Sequence, residues 1–389
     1  MEGRPILIDE DDRYARLRLI SWWDQQRLAS ARVLVVGAGA LGNEVLKNLA
    51  LLGVGTIHIV DFDRVELSNL SRSVLFRSRD RGRSKALAAA EAVRDLNPDV
   101  HVYPRHGNIM TDVGLGLFRD VAVVIGCLDN REARLWVNRQ CWKVGTPWID
   151  GGIQELNGVV KVFAPPDGAC YECGMTENDY RLINLRYSCP LLRREDLEAG
   201  KVPTAPTVSA IIGGLQVQEA VKLIHGMPAA AGEAMVFNGD ANRFYRTAFQ
   251  RREECLSHET YPSPVKLPLS SRRHTATDLF AQVREKTGAH GPLRLLLDRD
   301  LVLSLDCVPC GSSRPAMQAL YSMRLKQSCC PQCGQPAKPR LEHVIEEDGP
   351  WAKETLTRLG IPPYDIVRVQ TAQQEQVFLL DADDPNETS

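Results

Sequence analysis

The sequence predicts an α/β protein built on a doubly wound, mostly parallel sheet, followed by a smaller α+β domain. Three observations lead there. Short apolar runs alternate with stretches of helical periodicity through the first half of the chain. A glycine-rich turn joins the first such run to the first helix. Paired cysteines recur at knuckle spacing near the C-terminus, where a compact metal-stapled fold is expected.

Residues 33–36 form a buried strand that ends at Gly37. Residues 41–52 follow as a helix, because Leu41, Val45, Leu49 and Leu52 share one face. Residues 56–60 make a second strand ending at Asp61. Residues 84–96 make a helix, capped by Ser84 and closed by Asn97-Pro98. Strands are expected at 100–103, 121–125 and 148–150, with a helix at 131–144 stopped by Gly145. Strands at 158–163 and 234–237 can extend the sheet in antiparallel fashion, and 207–225 reads as a long apolar helix. The charged, aperiodic stretch 174–203 reads as a functional loop or lid. The Pro/Ser-rich stretch 263–274 reads as a linker, dividing residues 1–262 from 275–389. In the second part, helices are expected at 277–286 and 352–359, and closing strands at 366–369 and 376–380.

A chain of 389 residues predicts two to three domains at about 150 residues each. Lys plus Arg total 47 and Asp plus Glu 49, a net charge of −2, which argues against a generic nucleic-acid binder. No apolar run approaches the length of a membrane span and no export signal is visible, so a cytoplasmic protein with no membrane partner is expected. The 11 cysteines are clustered, which in that compartment favours metal or thiol chemistry over a disulfide framework.

Gly37, Gly39 and Gly42 form a G-x-G-x-x-G turn in the strand-to-helix context where a phosphate meets backbone amides, the mark of a Rossmann-like fold. Asp61 stands where an acid can bind a ribose hydroxyl. The motif alone suggests NAD, but the residues around it do not suit hydride transfer. Asp63, Asn69, Arg72 and Lys85 follow, and Asp129-Asn130 lie past the 121–125 strand. Two cations and extra acids at the strand ends suit a triphosphate with magnesium, hence ATP and Mg.

At these motifs the sequence resembles the ThiF/MoeB/HesA family of ubiquitin-like-protein activating enzymes. The resemblance rests on Arg13-Tyr14-Ala15-Arg16, the glycine turn, Asp61-x-Asp63-x-x-Glu66-x-Ser68-Asn69-Leu70-x-Arg72, Lys85 and Asp129-Asn130. It implies ATP-dependent adenylation of the C-terminal carboxylate of a small β-grasp protein. Carried over, Gly39 and Gly42 shape the phosphate turn, Asp61 holds the ribose, and Asn69, Arg72 and Lys85 contact phosphates. Asp129 binds magnesium or the attacking end, and Arg16 reaches into the site of a second subunit, which implies a homodimer. An inactive, non-catalytic subunit would be expected to have lost Arg72, Lys85 or Asp129. All three are present.

Cys170-x-x-Cys173 and Cys255-x-x-His258 can make one tetrahedral zinc site, and Cys307-x-x-Cys310 with Cys330-x-x-Cys333 a zinc ribbon. Cys127 and Cys141 read as core. Cys189 lies in the charged loop beside Arg186, Arg193 and Arg194, and cations lower a thiol pKa. The resemblance implies a thioester there and hand-over to a conjugating enzyme, although Pro190 stands where the family has threonine. The alternative fate is sulfur transfer for thiamine, molybdopterin or tRNA thiolation.

Overall fold

The computed structural model describes residue 9 and residues 11–188, 203–323, 327–372 and 374–386. Its larger sheet has eight strands in the order β3-β2-β1-β4-β5-β6-β7-β8. These are β1 (Arg32–Val36), β2 (Thr56–Asp61), β3 (His101–His106), β4 (Val123–Gly126), β5 (Trp148–Gln154), β6 (Asn157–Phe163), β7 (Glu233–Asn238) and β8 (Arg243–Ala248). The first five run parallel, and β6, β7 and β8 extend the sheet antiparallel.

Successive side chains of β1 enter different cores, as the pleat requires. Val33 and Val35 pack with the helices α2 (Ala40–Leu52), α3 (Lys85–Leu96) and α7 (Pro206–His225). Leu34 and Val36 pack with α4 (Leu115–Asp120) and α5 (Arg131–Val144) on the other face. A parallel sheet covered on both faces needs such unbroken apolar strands. Among the described residues the remaining α-helices are α1 (Gln25–Ser30), α6 (Glu177–Ser188) and α8 (Ala276–Thr287).

The second sheet follows the order β11-β10-β13-β14-β9, with β12 also paired to β10. Its strands are β9 (Val265–Leu267), β10 (Arg294–Asp306), β11 (Ser313–Ala319), β12 (Lys338–Glu346), β13 (Ile366–Gln370) and β14 (Glu375–Leu380). One face buries Leu279, Phe280 and Val283 of α8. From the other, Ile366, Val377 and Leu379 join the core that holds Leu117 and Phe118 of α4.

The structure departs from the sequence reading in several places. The expected helix at 352–359 is a series of turns. Its amide donors are used elsewhere: Leu356 N–H bonds the His274 carbonyl at 3.0 Å and Thr357 N–H bonds the Ser271 carbonyl at 2.9 Å. The expected linker contains β9, which pairs with β14, and Ser270 and Ser271 are buried. The first part of the expected loop at 174–203 is α6. Ser84 stands at the N-cap of α3 but its side chain makes no cap bond. Among the described residues no helix is long and apolar enough to cross a membrane.

Candidate functional site

β1 lies between β2 and β4, so the chain turns in opposite directions on either side of it. In open α/β sheets the crevice at the carboxyl ends of such strands is where ligands bind. Here it opens into a cleft of about 960 Å³. Gly37, Gly39, Asp61, Asp63, Asn69, Arg72, Lys85, Asp129 and Asn130 all line it. The chain therefore brings together residues that are up to 93 positions apart in sequence.

The glycines have separate tasks. Gly37 has φ +96°, and a Cβ there would sit 2.4 Å from the Cys127 carbonyl oxygen. A Cβ on Gly42 would sit 2.0 Å from the Gly37 carbonyl oxygen, so Gly42 is pressed under the turn and does not face the cleft. A Cβ on Gly39 would meet nothing within 4 Å. Gly39 has no packing partner to satisfy, and its bare position at the N-cap of α2 leaves room for a ligand beside the helix amides.

Asp61 fixes the turn. Its carboxylate accepts from Ala38 N–H and from Asp63 N–H, both at 2.7 Å. Burial pushes its pKa up, against the pull of Lys85 and those two amides. Lys85 is held twice by Asp63: its Nζ pairs with Oδ2 at 2.8 Å and its N–H bonds the carbonyl at 3.0 Å. Across the rim, Asn69 accepts from Glu66 N–H at 2.9 Å, and Arg72 donates to the Ser68 carbonyl at 2.9 Å. Asn130 caps α5 by accepting from Ala133 N–H at 2.8 Å and donates to Asp129 at 3.3 Å. Asp129 is exposed to the cleft, so a divalent cation could be held there.

Arg16 is elsewhere. Its neighbour Tyr14 packs on Gly53 and its hydroxyl accepts from Asn97, at the end of the sheet where β2 and β3 begin. Arg16 is exposed and does not line the cleft of its own chain.

The floor of the cleft holds a charge cluster that sequence reading missed. Asp150 is fully buried at 0% exposure and pairs with Arg134 at 2.9 Å. Arg134 also donates to the carbonyls of Leu128 and Gly151. Lys161 Nζ lies 3.9 Å from Asp150, and burial lowers its pKa. The available signals were a cation four residues past Asn130 and a lysine within an apolar strand.

The thiol and imidazole atoms of Cys170, Cys173, Cys255 and His258 all lie within 4.8 Å of one another, as do those of Cys307, Cys310, Cys330 and Cys333. A tetrahedral zinc with bonds near 2.3 Å sets its sulfurs roughly 3.8 Å apart. The separations fit: Cys170–Cys173 3.7 Å, Cys170–Cys255 3.5 Å, Cys310–Cys330 3.6 Å and Cys307–Cys333 3.4 Å. Gly311 and Gly334, both at φ +71°, complete two matching knuckles, donating to the carbonyls of Cys307 and Cys330. Cys141 is buried in the core as expected, but Cys127 is half-buried and lines the cleft, so it is not a core thiol; the surroundings of both raise the thiol pKa. Cys189 lies outside the described residues.

Residues 12–257 match the ThiF family, and the chain belongs to it. It is a ThiF-family enzyme, and its relatives are named as adenylyltransferases and activating enzymes. The sulfur carrier protein ThiS adenylyltransferase of Escherichia coli K12 is 32% identical over 254 residues, covering 65% of this chain and 92% of that protein. The mouse adenylyltransferase and sulfurtransferase MOCS3 is 34% identical over 266 residues, covering 67% of this chain and 55% of that protein. The SUMO-activating enzyme subunit 2 of Dictyostelium discoideum is 39% identical over 148 residues, 38% of this chain and 22% of that protein. The crystal structure of E. coli MccB with MccA-N7isoASN shares the fold, with TM-score 0.53 at 24% identity over 64% of this chain and 75% of that one.

Proposed function

We propose that the chain adenylates the C-terminal carboxylate of a small ubiquitin-like or sulfur-carrier protein of the β-grasp fold, using ATP and magnesium. The single observation that carries this is the convergence of Gly39, Asp61, Asn69, Arg72, Lys85 and Asp129 on one cleft at the ends of β1 and β4. The terminal carboxylate attacks the α-phosphorus of ATP, the bond to the β-phosphate oxygen breaks, and pyrophosphate leaves. An acyl-adenylate remains. The nucleophile is already an anion, so the cleft needs no general base. Its work is to hold two anions together and neutralise the developing charge. Arg72 and Lys85 supply cations, Asp61 sets the turn under the phosphates, and Asp129 would hold magnesium, which neutralises phosphate charge when bound. Zinc in the two cysteine clusters is structural in this reading, because each set supplies four ligands and leaves no open position. Arg16 would serve the cleft of a second copy, in a homodimer, since it cannot serve its own.

Two fates of the adenylate follow. In the first, the Cys189 thiolate displaces AMP to give a thioester that passes to a conjugating enzyme. In the second, the adenylate feeds sulfur transfer. The relative covered over 92% of its length, a sulfur carrier protein adenylyltransferase, favours that reading.

The test is pyrophosphate exchange into ATP with ubiquitin-fold proteins ending in glycine from the same genome. Exchange should require the partner, and Lys85→Ala or Arg72→Ala should lower it by roughly 100-fold or more. Full exchange by either variant contradicts the site assignment. A thiol-sensitive adduct that survives Cys189→Ala contradicts the thioester.

A further inference from the structure

Arg299, on β10 of the second sheet, is only 5% exposed. A buried guanidinium has to be met by acceptors on every side. One partner is its own sheet's Asp365, at 2.7 Å. The others lie in the loop that follows β3 of the first sheet: Arg299 donates to the Met110 carbonyl at 2.7 Å and to the Val113 carbonyl at 3.0 Å. Its guanidinium also sits over the Trp136 ring, 5.0 Å from the centroid.

Those carbonyls lie in the segment that connects β3 to α4. The same segment forms one wall of the cleft, through Gly107, Asn108, Ile109 and Met110. Further bonds hold it from the second sheet's side. Asp365 accepts from Leu115 N–H at 2.6 Å, and Gly116 N–H donates to the Tyr364 carbonyl at 3.1 Å. The approach is close: a Cβ on Gly114 would sit 2.4 Å from the Pro363 carbonyl oxygen. Besides the bonds within its own loop, the cleft wall is therefore held from outside by residues 299 and 363–365, beyond the family-matched region.

Another charged cluster joins the two parts of the chain, and it makes a comparison possible. Asp298 pairs with Lys143 of α5 at 2.8 Å and with Arg368 of β13 at 2.9 Å, and Arg368 in turn reaches Glu259, just past the first cysteine cluster, at 3.8 Å. None of these four lines the cleft. Simple adhesion between the sheets would make the two contacts equivalent. Geometry makes them different, because only the Arg299 contact lands on the wall.

We propose that Arg299 is a positioning residue of the nucleotide site, setting the wall at 107–110 through the Met110 and Val113 carbonyls. This rests on the reading of the cleft as the ATP site. The planar guanidinium can bond two carbonyls and a carboxylate at once, which an ammonium on a flexible stem cannot reproduce. Arg299→Lys keeps a cation beside the buried Asp365, which avoids stranding that carboxylate, while giving up part of the hold on the wall.

The experiment measures the Kd of the full chain for magnesium α,β-methylene-ATP by calorimetry, in wild type, Arg299→Lys and the matched Arg368→Lys. Amide exchange across 107–115 is read on the same samples. Arg299→Lys should bind at least about fivefold more weakly and exchange faster at 108–115, while Arg368→Lys stays within about twofold of wild type on both readouts. Equal affinity in wild type and Arg299→Lys overturns the proposal, and so does equal weakening in both variants. If wild type itself fails to bind, the reading of the cleft is overturned instead.

Discussion

At the scale of single residues, the glycine turn separates folding from binding. Gly37 needs a left-handed backbone and has no room for a Cβ, whereas Gly39 needs neither. Gly37→Ala should therefore lose roughly 1–3 kcal/mol for the backbone alone, and more for the clash, read by denaturant unfolding. Gly39→Ala should stay within about 0.5 kcal/mol of wild type yet bind ATP more weakly, because its methyl enters the cleft. A destabilised Gly39→Ala with normal ATP binding would reverse those assignments. His58 on β2 shows a different constraint. Burial, with help from the charges of Arg32 and Arg105, pulls its pKa down to about 3. Between the ordinary value near 6.5 and that lower value, the unfolded chain takes up a proton that the folded chain refuses. Stability is then lost as pH falls through this window. The Tm of His58→Gln should fall less steeply from pH 6.5 to 4 than that of wild type; parallel curves would show that His58 does not titrate this way.

At the scale of elements, legibility followed periodicity and spacing. β1, α2, β2 and the knuckles stand out in the sequence because apolar pattern, glycine placement and cysteine spacing are all local signals. β8 gave no such signal: all six of its residues are exposed, so no apolar alternation marks it. The 352–359 segment has helical spacing, yet hydrogen bonds to residues 271 and 274 hold it as turns. The 263–274 stretch has linker composition, yet β14 recruits part of it as β9. In each case a partner distant in sequence decided the outcome. The metal knuckles carry their own prediction. A structural zinc adds on the order of 10 kcal/mol to a small metallo-domain, and the apolar cluster around Cys307 and Cys330 is small. Purified protein should hold two zinc ions per chain, one for each cluster. Cys333→Ser should lose one of them, with faster amide exchange in β11 and β12. Unchanged zinc content would show that the second cluster does not bind metal.

At the scale of the whole molecule, the first sheet places the cleft and the second braces it. The glycine turn, Asp61, Asn69, Arg72, Lys85 and Asp129 are all legible as candidates in the sequence. Arg134, Lys161 and Arg299 are not, because each acts through a carbonyl or carboxylate supplied by a strand or loop that sequence order does not put beside it. The central claim remains the chemistry at the α-phosphate, and isotopic position tests it most directly. The Cys189→Ala chain, which cannot pass the adenylate on as a thioester and release AMP, is incubated with a glycine-terminated β-grasp protein and ATP labelled at either the α- or the γ-phosphorus. Label from the α position should appear on the small protein, and label from the γ position only in released pyrophosphate. Transfer of γ-label to the small protein, or of neither label, would contradict adenylation.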